Sequence, residues 1–178
     1  YWQNPNCYLN DLRYYRNFLI DTKPLIVDRE LPERYITIHI RRGDFLSRKS
    51  MFEFYYSKFS PVGFILSSLN LLPQESKSYP IYVISDDKLW AKNFIISISS
   101  SIKNNFFILD TKDHFEDWAI MRHSSINICS NSTFSYTAAL LNQDNLDRKL
   151  RSIIPQWIDK DFSAFEKGWL YPQGFIKI

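Results

Sequence analysis

Tyr35-Ile36-Thr37-Ile38-His39-Ile40-Arg41-Arg42-Gly43-Asp44 is the stretch whose reading decides the fold. Ile36, Ile38 and Ile40 alternate with Thr37 and His39, the period-2 pattern of a β-strand with one strongly apolar face. If the strand runs on through Arg41, His39 and Arg41 lie on the face opposite the isoleucines. Two permanently charged guanidinium groups then follow, with Gly43 permitting a tight turn and close approach of a ligand to the backbone. Planar donors at the carboxyl end of a buried strand suit a dianionic group such as a pyrophosphate.

Outward from that strand, elements alternate. Upstream, Tyr8, Leu9, Leu12, Tyr15, Phe18 and Leu19 recur at helical spacing, predicting an amphipathic helix that ends before Pro24. Pro24 and Pro32 bracket a connector, so residues 1–34 read as a helix and linker ahead of the main domain, 35–178. Downstream, 45–51 is polar and reads as a mobile loop. A helix is expected over Tyr55–Leu72, with Pro61 and Gly63 interrupting its middle, and a loop over Pro73–Pro80. Ile81–Ser85 is a β-branched run bounded by turn residues, a second strand. A helix through Trp90, Phe94 and Ile98 follows, with Ser85 or Asp86 as its N-cap.

Phe106–Leu109 predicts a third strand, Glu116–His123 a helix, Ile126–Ser130 a fourth strand. Asn131-Ser132-Thr133 caps a helix through Leu141, and Leu150–Ile154 is a fifth strand. The tail, with Trp157, Phe162, Phe165 and Trp169, has no period and is expected to drape over the sheet. Strands alternating with helices predict an α/β fold with a mostly parallel sheet. Ligands bind such sheets beyond the carboxyl ends of the strands. There stand Arg41, Arg42 and Asp44; Ser85, Asp86 and Asp87; Asp110; and Ser130, Asn131, Ser132, Thr133 and Phe134.

Composition narrows the classes. A chain of 178 residues can bury a core as one domain, and a net charge of +3 is too small to predict a nucleic-acid partner. That charge is compatible with an anionic ligand or with loose attachment to an acidic membrane surface. No apolar run approaches the ~20 residues of a membrane span. Cys7 and Cys129 form no disulfide framework or zinc set, which favours a reducing compartment.

Other readings compete at single positions. Asn131, Ser132 and Thr133 suit anion binding at a helix start and suit simple capping equally well. They also match a glycosylation sequon, and Arg42-Gly43-Asp44 spells an adhesion tripeptide. Both are read as coincidence, since these residues abut buried strands at one rim. Asp110, Asp113, His114, Glu116, Asp117 and His123 have no recognised metal-ligand spacing, and no metal is expected. Asp86 and Asp87 serve equally as ligand groups or as charges at a helix N-terminus.

In series, these motifs resemble the α-1,2-fucosyltransferase family. The family's His-x-Arg-Arg-x-Asp hallmark stands here as His39-Ile40-Arg41-Arg42-Gly43-Asp44. Its apolar strand ending Ser-Asp-Asp before a Trp-bearing helix stands as Val83-Ile84-Ser85-Asp86-Asp87-Lys88-Leu89-Trp90. A third set runs Glu116-Asp117-Trp118-Ala119-Ile120-Met121, then Ser130–Tyr136 and Ala138–Asn142. Ser135-Tyr136-Thr137 departs from the more usual Ser-Trp-Trp, which touches acceptor contacts and packing.

The resemblance implies the Rossmann-like, donor-binding half of a two-domain, GT-B-like enzyme. It implies metal-independent, cofactor-free transfer of L-fucose from GDP-fucose, with inversion, to a galactoside-type glycan acceptor. Arg41 would bind the β-phosphate and stabilise the leaving GDP, and Asp44 is the candidate base. His39 and Asp117 would hold the nucleoside, with Asn131, Ser132, Thr133 and Phe134 around the pyrophosphate. Asp86 and Arg42 are placed in the same donor site, with an Arg42–Asp44 ion pair orienting the loop. Tyr1-Trp2-Gln3-Asn4 resembles the segment preceding the first motif, so a longer protein with an upstream Gly-rich, acceptor-side part is expected. The expected location is cytoplasmic, with peripheral membrane association; a Golgi lumen reached through a missing anchor is the alternative. A related fucosyltransferase of another linkage and a non-catalytic nucleotide- or carbohydrate-binding module are the competing functions.

Overall fold

The computed structural model describes residues 30–43, 46, 60–99, 102, 104–142, 152–155 and 174–178. The helix expected over the first 24 residues, Asp44, most of the 45–51 loop and the tail from 156 to 173 lie outside these residues.

The described strands are β1 (Ile36–Ile40), β2 (Ile81–Ser85), β3 (Phe106–Ile108), β4 (Ile126–Ile128), β5 (Ser152–Ile154) and β6 (Phe175–Lys177). The helices between them are α1 (Pro61–Asn70), α2 (Lys88–Ser99), α3 (His114–His123) and α4 (Thr133–Leu140). All six strands are parallel, in the order β3-β2-β1-β4-β5-β6. The order runs outward from β1 to β3, then the chain crosses back to place β4 on the other side of β1. That reversal between β1 and β4 makes a topological switch point, where helices leave on opposite faces and a crevice opens beyond the strand ends.

β1 is buried along its whole length, as a central parallel strand should be. Its isoleucines pack with Phe64, Ile65 and Leu69 of α1 and Ala91, Phe94, Ile95 and Ile98 of α2. The opposite face carries Ile84, Ile120, Met121 and Ala138 under α3 and α4. Alternation therefore marks two buried faces, one apolar and one partly polar. On the polar face Thr37 Oγ1 donates to Asn127 Oδ1 at 2.6 Å, so the two central strands exchange a side-chain hydrogen bond inside the core. Pairing of this kind is what makes buried polar groups tolerable.

Four local expectations need correction. Pro61 does not interrupt a helix; it starts α1 behind Ser60, whose Oγ accepts from Gly63 N at 3.1 Å. Proline at the first helical position loses no intrahelical bond. Asp87, rather than Ser85 or Asp86, caps α2: its Oδ1 accepts from Trp90 N at 3.0 Å. The expected loop after Pro73 holds a 3-10 turn over Gln74–Ser78. The end of the tail is no drape, since β6 extends the sheet in parallel with β5. Among the described residues no helix is long and apolar enough to cross a membrane.

Candidate functional site

Strand register builds the site. β1 and β2 pair Ile40 with Ser85, so the next residues along each strand set Arg41 beside Asp86 and Arg42 beside Asp87. Two consecutive cations thus meet two consecutive anions. Arg41 Nη1 lies 2.8 Å from Asp86 Oδ2, and Arg42 Nε lies 3.1 Å from Asp87 Oδ2.

The two pairs do different work. Arg42 is largely covered and its guanidinium stacks 4.2 Å from the Trp90 ring, a brace against the first turn of α2. The Trp90 backbone N–H, and then Arg42, hold the Asp87 carboxyl below the usual carboxylate range. Arg41 is more open, at 38% side-chain exposure. Asp86 reaches under it to the backbone: Oδ1 accepts from Arg42 N at 2.8 Å and Oδ2 from Gly43 N at 3.0 Å. A Cβ at position 43 would lie 2.8 Å from Asp86 Oδ2, so glycine is what lets the carboxylate sit there.

Across the switch point, Ser130 Oγ and His39 Nδ1 share a 2.7 Å hydrogen bond. His39 is 8% exposed, and its ring tilts against Phe134 at 5.4 Å between centroids. Burial lowers its pKa to about 4; the Asp86 carboxylate opposes that and the Arg41 guanidinium adds to it. His39 is therefore a neutral imidazole at neutral pH. Ser132 is the N-cap of α4, with its Oγ accepting from Phe134 N at 3.3 Å, and Thr133 is exposed at the first helical position. Asn131 is 7% exposed and its Oδ1 is buried without a hydrogen-bond partner among the described residues.

Arg41, Arg42, Asp86, Asn131, Ser132, Thr133 and Phe134 thus follow the carboxyl ends of three neighbouring strands, β2, β1 and β4, with His39 near the end of β1 itself. Asp117 stands on α3, where its Oδ1 accepts from Thr111 Oγ1 at 2.7 Å. α3 packs onto α4, with Trp118 Nε1 donating to Thr137 Oγ1 at 3.2 Å. The expected Arg42–Asp44 pair involves a residue outside those described; among the described residues Arg42 pairs with Asp87. The acids of the α3 region have local tasks: Asp113 caps the helix and Glu116 Oε2 accepts from Lys112 N at 2.8 Å. No group of three or more His, Cys, Asp or Glu among the described residues is placed to hold a metal. Cys129 is fully buried, its pKa pushed up to about 12 by burial; it is a core residue.

Sequence reasoning set Ser130 and Asp87 at this rim without finding the partner of either, and gave Trp90 no part in the site. Ser130 was visible as a polar residue closing an apolar strand, but its partner is 91 residues away.

The chain matches the family model for glycosyl transferase family 11 over residues 17–173. No curated protein matches it. Among solved structures it is similar to POFUT1 in complex with GDP-fucose, at 14% identity and a TM-score of 0.46, over 80% of this chain and 45% of that one. A second POFUT1 structure, in complex with GDP, gives 14% identity and a TM-score of 0.45 over the same shares. The chain therefore spans less than half the length of those solved chains.

Proposed function

The chain belongs to glycosyl transferase family 11, the α-1,2-fucosyltransferase family, and from that premise we propose that it binds the GDP part of GDP-fucose at the β1–β4 crevice. The whole enzyme then moves L-fucose, with inversion, to the 2-hydroxyl of a galactoside-type glycan, on a two-domain GT-B-like scaffold. The observation carrying the reading is that Arg41 follows the end of β1 and α4 starts shortly after the end of β4, two paired strands that meet where the strand order reverses. Such a crevice favours a nucleotide, and a guanidinium together with a helix N-terminus favours its diphosphate.

In the transfer the acceptor oxygen attacks the anomeric carbon as the bond to the β-phosphate oxygen breaks. Negative charge develops on that leaving oxygen. Arg41 meets it with a planar, permanently charged donor, and the hydroxyls of Ser132 and Thr133 with the first N–H groups of α4 add to it. Arg41 takes the part a divalent metal plays elsewhere, so turnover should persist in EDTA. Neutral His39, with Phe134 and Asp117, lies on the nucleoside side. Asp44 is the proposed base that takes the acceptor proton; its assignment rests on the motif.

Calorimetric titration with GDP and GDP-fucose, followed by GDP release with a β-galactoside, tests this. Saturable GDP binding that is lost in Arg41→Ala is the expected result. Absence of GDP binding overturns the reading, while binding of GDP without any turnover reduces it to a nucleotide-binding module.

A further inference from the structure

The geometry points to Asp86 as a positioning residue that sets the Arg41 guanidinium, rather than as a group that touches the donor; this rests on the GDP-binding reading above. One carboxylate takes donors from three consecutive residues, Arg41 Nη1, Arg42 N and Gly43 N, with all three contacts between 2.8 and 3.0 Å. The two backbone bonds fix both carboxylate oxygens before the guanidinium is considered. Successive backbone N–H groups form an anion-binding concavity, and here an internal carboxylate fills it. An ordinary exposed ion pair leaves two flexible side chains free to wander and contributes little to stability. This one is different, because its acid is held rigidly and its base is a planar fork on the last turn before the crevice. Its effect is therefore on where Arg41 stands.

Gly43 belongs to the same device. A side chain there would collide with Asp86 Oδ2 at 2.8 Å and push the carboxylate off the turn. The strand register explains why Asp86, and not its neighbour, has this part. Asp87 is turned to cap α2 and to hold Arg42 against Trp90.

The alternative is that Asp86 competes with the diphosphate for Arg41. The two predict opposite signs, and a double-mutant cycle on GDP affinity separates them from a purely structural role. Asp86→Asn keeps one acceptor oxygen for the turn and removes the charge that orients Arg41. Positioning predicts that GDP binds about tenfold more weakly to Asp86→Asn in the presence of Arg41, a coupling ordinary for contacting residues. In an Arg41→Lys background, where the fork is absent, the same change should have little effect. Gly43→Ala, which leaves both charges in place, should reproduce the loss if Asp86→Asn fails to fold. Unchanged or tighter GDP binding by these variants overturns the inference, as does an equal loss in both backgrounds. If the unaltered chain fails to bind GDP, the proposed function has failed first, and the two failures are distinguishable.

Discussion

Ser130 Oγ and His39 Nδ1 stand 2.7 Å apart across the reversal of strand order, so the strand ends that open the crevice are also stitched together there. The imidazole in that stitch is buried and neutral, and this gives it a pH signature. Its pKa falls from 6.5 to about 4 on folding. Between those values the unfolded chain binds the proton and the folded chain does not, so protonation favours unfolding. The stability that His39 confers is complete above pH 6.5 and is lost as the pH drops towards 4. Urea unfolding of the unaltered chain and of His39→Asn, measured from pH 7.5 to 4, should show their stability difference changing across that window in favour of the variant. A difference that stays constant with pH would show that His39 is not buried neutral.

Ser132 combines two tasks that a pair of substitutions separates. As the N-cap of α4 it satisfies Phe134 N, and Ser132→Ala should cost about 1 kcal/mol while Ser132→Gly costs only a few tenths. Both remove the hydroxyl proposed to meet the diphosphate. A fall of about fivefold in GDP affinity is expected in both, the worth of one ordinary hydrogen bond. If Ser132→Gly binds GDP as the unaltered chain does, the hydroxyl is a cap alone.

Arg42 is expected to act on stability through Trp90 and Asp87. Arg42→Ala should lower the unfolding free energy by about 1–2 kcal/mol, the sum of a covered cation–π contact and one ion pair. Trp90→Leu should cost a similar amount, and the double variant should cost less than the sum, because both remove the same stacking contact. The depressed Asp87 carboxyl adds a second check. Its contribution is present above its ordinary value of 3.8 and is lost as the pH falls through the lowered one. Denaturant midpoints for the three variants at neutral pH decide the matter; an unchanged midpoint for Arg42→Ala removes the brace.

Much of the fold was legible because it is local. The β-branched run Ile81–Ser85 was found at its observed bounds, and the period-2 run before Arg41 did form the central strand. Ser132 at the head of α4 followed from capping chemistry, which needs only a hydroxyl and the next turn. β6 was missed because Phe175–Lys177 carries no strand pattern strong enough to stand alone. It becomes a strand by pairing with β5.

By itself the sequence determined the alternation of strands and helices, the parallel sheet that such alternation requires, and the chemical character of each strand end. Those depend on spacing and side-chain type within one turn or one strand. Tertiary structure alone decided which carboxylate serves which arginine, and that Ser130 closes on His39. The reason is register. Sliding β2 by one residue against β1 would leave every local pattern intact, yet pair Arg41 with Asp87, and only packing of the whole sheet forbids it.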